Sequence, residues 1–429
     1  MNRRNFLKVS AAASLYAASP KVLMADPDFN GKFLVTVHAH GGWDPTSFCD
    51  PKMNVTGESI INNWAKTQET QQAGNINYAP FGENQAFFET HHKKMLVLNG
   101  IDTQTNSHYA GEYFNMTGSM NDEYPSLAAM YASIHKAGHT MPWVTHTFRP
   151  KSGKLIAPTF LSDNNQLNRL KDLIDPNAYK YKNNSKHMNT GDLDMIRTFR
   201  DKKINQLKND QLQMPKQRAM YAKFLESTYK DEGFDSFVNL IETADTKGLD
   251  KNNGHYRQSI NAISAFKSGL AISSDIRVSN FDTHGDHDVR HANRMTELTR
   301  TVDLLWHLAE LNGIEDRLVV TIVSEFGRTP RYNDKGGKDH WSTTSSVVMA
   351  NNPSWGNRVI GSSTEGHRAE KINFSTMQRD DVAGIKINPN HIMRSIRDEL
   401  SIGNSSESNQ FALDTSNYLD IFNPNLRTV

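Results

Sequence analysis

Residues 282–288 read Asp-Thr-His-Gly-Asp-His-Asp, which puts three carboxylates and two imidazoles into one short stretch. Side chains of these two types, turned toward one cation, suit zinc, manganese or iron. Gly285 would let the chain turn for that purpose, although a plain turn with a capping aspartate and solvated histidines would use the same residues. Two further stretches carry chemistry of the same kind. Gly41-Gly42-Trp43-Asp44 ends in an aspartate, and Ser324-Glu325-Phe326-Gly327-Arg328-Thr329-Pro330 is followed by Gly336-Gly337-Lys338-Asp339-His340-Trp341. Glu325 closes an apolar run, and a carboxylate in that position must be satisfied by a positive charge or by donors. Either Arg328 or a metal ion would meet the need. Asp339 and His340 offer two more ligands on a glycine-loosened loop. A thiolate-rich site is excluded, because Cys49 is the single cysteine.

These groups need elements to position them. Phe33–Val37 is a β-branched apolar run that stops at His38-Ala39-His40-Gly41-Gly42, the pattern of a buried strand and the loop at its carboxyl end. The same grammar recurs at 95–98 before Asp102, at 276–278 before Asp282, and at 318–323 before Glu325. Met295, Leu298, Val302, Leu305 and Leu308 recur at helical spacing, and Asn312-Gly313 is a plausible stop. Strands alternating with helices predict a parallel sheet with helices on both faces. Ligands of such sheets bind outside the carboxyl ends of the strands, where this sequence carries its carboxylates. His38 and His40 would share one face of their strand end, near the Asp44 loop. Trp43 and Trp341 would wall a cleft or, by default, pack in the core. Cys49 is expected to be buried without a role.

The segment 155–270 is polar and highly charged, with helical patterns over 192–208 and 217–230. It predicts a helical insertion over the sheet edge or the site, or else a surface helical layer. Beyond about 370 the chain is polar, with one expected helix over 391–400.

Composition narrows the function. Lys and Arg number 48 against 47 Asp and Glu, a balance that gives no reason to expect nucleic acid or an anionic membrane surface as partner. The 17 histidines supply near-neutral acids, bases and metal ligands. No apolar run in the body of the chain approaches the roughly 20 residues of a membrane helix. At the N-terminus, Arg3-Arg4-Asn5-Phe6-Leu7-Lys8 precedes a weakly apolar Ala/Ser-rich stretch, the layout of an export signal. It resembles the twin-arginine signal, which sends folded proteins through the twin-arginine translocase, with cleavage possible after Ala25. Residues 1–25 are read as that signal and 26–429 as a single domain. The mature protein is then expected in the periplasm or outside the cell.

The Gly-Gly-x-Asp loop, Phe-Asp-Thr-His-Gly, Ser-Glu-Phe-Gly-Arg-Thr-Pro and Asp-His-Trp, in this order, resemble the bacterial "domain of unknown function 1501" family (DUF1501) over about 30–400. Members typically begin with a twin-arginine signal and are grouped with the alkaline phosphatase and sulfatase superfamily. The resemblance implies an α/β fold with an alkaline phosphatase-like parallel-sheet core. It also implies two metals at the strand ends and attack on a phosphate or sulfate ester. Asp44 matches the first-strand aspartate that reaches toward the second metal. Asp282 with His284 resembles the Asp-and-His pair of the first metal, and His340 beside Asp339 the late histidine that closes it. Glu325-Phe326 stands where Asp-His is usual, which removes one imidazole. The short gap from Asp282 to His284 leaves His287 as an alternative ligand, so one metal site is expected rather than two. By the same resemblance Thr105 or Ser107 is the nucleophile, with His108 where an arginine often contacts the anion; both hydroxyls would equally serve as helix caps. Arg328 would fork onto the anion or pair with Glu325. The expectation is an exported hydrolase of small-molecule or polymer esters that uses a divalent metal (zinc, manganese, iron, calcium or magnesium). The alternative is a non-catalytic binding or structural protein that keeps the fold and at most one metal.

Overall fold

In the computed structural model the apolar run at the start becomes strand β1, Phe33–Ala39, buried at all seven positions. Side chains alternate along a strand, so burial at every position means that both faces of the sheet are covered there. The structure describes residues 29–161, 190–210, 214, 217–218, 231–414 and 416–423. The expected leader over 1–25 and most of the expected helix over 217–230 lie outside these residues.

Seven more strands complete the sheet: β2 Met95–Asp102, β3 Trp143–Thr145, β4 Thr159–Phe160, β5 Ser273–Val278, β6 Leu318–Val323, β7 Thr343–Ala350 and β8 Arg358–Ile360. Their order across the sheet is β8-β2-β7-β6-β1-β5-β3-β4. β1 pairs in parallel with β5 and β6, β3 with β5 and β4, and β8 with β2. β7 runs antiparallel to both of its neighbours, β2 and β6. Of the four strands expected from sequence, β1, β5 and β6 form the parallel centre, while β2 lies next to edge strand β8 and is separated from them by the antiparallel β7, which was not expected. The first half of β7, Thr343-Thr344-Ser345-Ser346, lacks an apolar signal, pairs with β2 alone and is nonetheless buried; β6 pairs only with Val347–Ala350.

Among the described residues the α-helices are α1 Asn84–His91, α2 His108–Thr117, α3 Leu127–His135, α4 Thr190–Asn209, α5 Asp231–Thr243, α6 Gly254–Lys267, α7 His287–Leu311, α8 Pro389–Glu399 and the short α9 Ser406–Gln410. The expected helix around 295–308 is the middle of α7, which ends where expected, with Asn312 as its cap and Gly313 at φ +63°. The stretch 155–270 differs from a plain insertion. It contributes edge strand β4 and helix α6, which packs against α7 and β5. Buried Ser259, Asn261 and Ser264 interrupt the apolar face of α6, so its burial was not legible from hydrophobic spacing. One large buried cluster extends from Phe33 to Phe422. Trp43 and Cys49 belong to it, as the default readings expected.

The topology decides where the chemistry gathers. The loops after β1, β2, β5 and β6 and the segment before the antiparallel β7 all meet at one edge of the sheet. A ribbon of Gly327–Arg328 paired with His340–Trp341 ties the last two together.

Candidate metal centre

Asp282 follows β5, and three imidazoles from three other chain positions close on it. His340 Nε2 lies 3.1 Å from Asp282 Oδ1, His284 Nε2 lies 3.0 Å from the same oxygen, and His108 Nε2 lies 3.5 Å from Oδ2. The opposite ring nitrogen of each is held by an acceptor. His108 Nδ1 is 2.9 Å from Glu325 Oε1, His284 Nδ1 is 2.6 Å from Asp339 Oδ1, and His340 Nδ1 is 2.9 Å from the Asn106 carbonyl. A carboxylate or carbonyl facing Nδ1 demands a proton on that nitrogen, so the neutral ring turns a lone pair on Nε2 toward Asp282. His108, Asp282 and His340 can each offer one ligand atom with all three atoms within 4.8 Å of one another. His284 Nε2 adds a fourth, 3.0 Å from His340 Nε2. Three imidazoles and one carboxylate with carboxylate-backed rings are a donor set that fits a divalent ion such as zinc, manganese or iron.

The surrounding groups act on these residues in different directions. Burial pushes the Asp282 carboxyl up, but the hydrogen bond and charge of Arg328, with help from His340, outweigh it and bring it down to about 2. His108 is raised, first by its bond to Glu325. His340 is lowered, chiefly by burial. Glu325 is fully buried and kept ionised well below the usual carboxylate range: burial opposes this, while the His38 charge and the His108 bond dominate. His38 Nε2 sits 3.0 Å from its Oε2, and the Gly41 N–H donates to its Oε1 at 2.7 Å. His38 and His40 do share one side of the strand end, with ring centroids 5.5 Å apart, and His40 stacks on His108 at 6.2 Å. Burial lowers His40 to about 4, so it is neutral at pH 7.

Two local features make the convergence possible. Gly41 has φ +121°, and a Cβ on it would lie 2.5 Å from the Asp282 nitrogen, so only glycine lets the β1 loop touch the β5 loop. Gly111 lets α2 press its backbone onto the Glu325 carbonyl, which brings His108, the first residue of α2, over the sheet edge.

Arg328 does not pair with Glu325. Its fully buried guanidinium donates to the carbonyls of Gly42 at 2.7 Å, Lys338 at 3.0 Å and Gly41, and to Asp282 Oδ1 at 2.7 Å. Its donors are therefore committed to protein acceptors. Asp44 and His287 come together in a separate, fully buried group. Lys338 Nζ is 2.6 Å from Asp44 Oδ2 and 2.9 Å from Asn62 Oδ1, and His287 Nε2 is 3.2 Å from Asp44 Oδ2. Thr46 donates twice to Asp44 Oδ1, and Thr283 Oγ1 links the Nδ1 atoms of His287 and His291 at 2.7 and 3.2 Å. Burial resists the Asp44 charge, yet Lys338 keeps it ionised, and burial lowers both histidines. A lysine ammonium thus neutralises Asp44 in the structure. Lys338 was visible in the Gly-Gly-Lys-Asp-His string but carried no signal of its own, and His291 and Asn62 carried none either.

The candidate hydroxyls lie on the loop between β2 and α2. Thr105 Oγ1 accepts from the Ser107 N–H at 3.1 Å, and Ser107 caps α2 without a side-chain capping bond. Asn106, between them, is the residue whose carbonyl orients His340. Asp102 at the end of β2 turns away, toward Lys386 at 3.4 Å. Trp341 is half-buried and donates from Nε1 to the His367 carbonyl.

Among solved structures, the chain is similar to Ps i-CgsB in complex with k-i-k-neocarrahexaose (8% identity, 91% of this chain and 75% of that one, TM-score 0.36). It is also similar to the lipoteichoic acid synthase LtaP from Listeria monocytogenes (10%, 95% and 78%, 0.37) and to the alkaline phosphatase from the Antarctic bacterium TAB5 (9%, 75% and 92%, 0.33). At these scores the likenesses assign no residue a role. No curated protein sequence matches. The family model described as "Protein of unknown function (DUF1501)" matches residues 31–375, and the chain therefore belongs to the DUF1501 family.

Proposed function

We propose that this protein is an exported, metal-dependent hydrolase of phosphate or sulfate esters, with Asp282, His340, His108 and His284 holding one divalent ion. The observation that carries the reading is the set of three imidazoles, each fixed at Nδ1 by an acceptor and each aiming Nε2 at Asp282. A divalent cation in that place would supply charge neutralisation to the ester oxygens. Arg328 keeps Asp282 ionised and in place, Glu325 and Asp339 orient His108 and His284, and the Asn106 carbonyl orients His340. Thr105 and Ser107, on either side of Asn106, are the hydroxyls proposed to attack the ester. Asp44 and His287, neutralised by Lys338, are proposed to support the loops rather than to hold a second ion. Export through the twin-arginine translocase rests on the Arg3-Arg4-Asn5-Phe6-Leu7-Lys8 string. Among the described residues no helix is long and apolar enough to cross a membrane.

A second reading has one observation in its favour. Among the described residues neither the Thr105 nor the Ser107 hydroxyl is hydrogen-bonded to a member of the centre. A non-catalytic protein that keeps one metal for binding a partner would need no such contact. One experiment separates the readings: elemental analysis and an ester screen on protein recovered without chelator from the periplasmic fraction, beside Asp282→Ala/His340→Ala. About one metal per chain, lost in the double variant together with turnover, is expected. Metal without turnover favours the second reading. Absence of stoichiometric metal removes the metal part of the proposal, and protein found only in the cytoplasmic fraction removes the export part.

A further inference from the structure

Beside the metal centre lies a cleft of about 510 Å³ lined by His40, His108, Glu112, Phe148, Arg149 and Arg277 among others. Arg277 projects from β5, five residues before Asp282. Its backbone is clamped to α6 on both sides: the Arg277 N–H donates to Gln258 Oε1 at 2.7 Å, and Gln258 Nε2 donates to the Arg277 carbonyl at 2.9 Å. The guanidinium lies over the Phe148 ring at 4.9 Å and donates from Nη2 to His40 Nδ1 at 2.8 Å. Its Nε is buried with no hydrogen-bond partner. The nearby carboxylates are engaged elsewhere. Glu112 pairs with Lys151 at 2.5 Å, and Glu325 is held by His38, His108 and the Gly41 N–H. Among the described residues no carboxylate lies within ion-pair distance of Arg277 or of the exposed Arg149.

A half-buried guanidinium whose partners are an imidazole and an aromatic face keeps most of its charge and a donor unspent. Arg149 is exposed on the same cleft; its charge acts against that of Arg277, which Glu112 and Glu325 favour, and an anion between the two guanidinium groups would relieve the repulsion. The same cleft is also lined by His108 and Asp282 of the metal centre, and Arg277 is linked to them through His40 rather than by a direct contact. Arg328, the arginine at the centre itself, is spent on protein acceptors.

We infer that Arg277 and Arg149 form a subsite for an oxyanion of the substrate other than the scissile ester, so that the preferred substrates carry a second carboxylate, sulfate or phosphate group. This rests on the ester-hydrolase reading for its use but not for its existence as an anion site. Bidentate contact from the Arg277 fork, with the exposed Arg149 beside it, suits such a group. The exposed Phe148 and Tyr109 give the same cleft apolar walls.

The experiment is calorimetric titration of inorganic sulfate, inorganic phosphate and acetate into the mature protein after metal removal with chelator and dialysis. Wild type, Arg149→Gln, Arg277→Gln and Asp282→Ala are compared, each checked for folding by thermal unfolding. Binding of at least one anion by wild type is expected, weakened about tenfold or more by Arg149→Gln and retained by Asp282→Ala. The anion bound most tightly identifies the group. Arg149→Gln is exposed and tests the subsite even if Arg277→Gln does not fold. No anion binding to wild type overturns the inference, and so does binding that is lost in Asp282→Ala but kept in Arg149→Gln. Metal content measured on the same arginine variants before stripping should equal wild type. Failure of this subsite therefore leaves the metal-centre reading intact, and failure of the metal reading leaves this anion binding measurable.

Discussion

At the scale of single residues, Glu325 shows how a carboxylate can serve a metal centre without facing it. It is fully buried, and its two oxygens are divided among the His38 imidazole, the His108 imidazole and the Gly41 N–H. The proton that Glu325 requires on His108 Nδ1 leaves Nε2 free to point at Asp282. Groups of this kind behind a ligating histidine typically change metal affinity by 10–100-fold. Glu325→Gln keeps the shape and removes the charge, so metal affinity is expected to fall by about that factor. Competition titration against a fluorescent chelator would measure it, and unchanged affinity would mean that His108 is not a ligand. The sequence marked Glu325 as a carboxylate that needs a partner and left Arg328 and a metal ion open as candidates; the groups that meet it in the structure are His38, His108 and the Gly41 N–H. Arg328, three residues away, lies on the short strand Gly327–Arg328 and reaches the carbonyls of Gly41 and Gly42 and Asp282 instead.

At the scale of elements, the buried Lys338–Asp44 pair joins the loop after β1 to the segment before β7, and Asn62 and Thr46 complete its hydrogen bonding. Both side chains are fully inaccessible. Removing one partner of a buried pair strands the other charge, which costs about 3–5 kcal/mol. Lys338→Met should therefore lower unfolding free energy in urea by that order, and Asp44→Asn added to it should recover a large part. Equal stability of Lys338→Met and wild type would show that Asp44 is neutralised some other way, as by a metal ion. This pair also explains why sequence motifs alone suggested more ligands than one centre uses. Asp44, His287, Asp282 and His284 look alike as residue types in adjacent loops. Which of them face a common point depends on the first turn of α7, which buries His287 against Asp44 and leaves His284 on the open side.

At the scale of the molecule, Asp303 on α7 ties three parts together. His91 at the end of α1 lies 3.0 Å from one oxygen, and Lys247 between α5 and α6 lies 2.7 Å from the other. Burial raises this carboxyl, but the bonds from His91 and Lys247 prevail and bring it to about 2, below the usual value near ~3.9. A depressed carboxyl stabilises the fold fully above its unfolded value and loses that contribution as pH falls through its folded value. With allowance for its partial exposure, the contribution is on the order of 1–2 kcal/mol. Asp303→Asn should therefore be less stable than wild type by about that amount at pH 6. The two should converge between about pH 4 and 2. Urea unfolding across that range is the measurement, and a difference that persists at pH 2 would assign the effect to packing.

The sequence by itself determined central strands β1 and β6, apolar runs long enough to be buried on both faces, and marked β2 and the Ile276–Val278 end of β5. It also determined that carboxylates would stand at their carboxyl ends, and it carried the ordered motifs of the family. It did not determine β7, whose first half of threonines and serines is buried beside β2 without an apolar signal. Nor did it assign partners. Buried charges choose the nearest compensating group in space, and Lys338 for Asp44, Arg328 for Asp282 and His108 for Glu325 come from segments 46 to 294 residues away. Only the packing of the loops at one sheet edge, with Gly41 and Gly111 permitting the close approach, decided which imidazoles share Asp282 and which cations of the cleft are left without an anion.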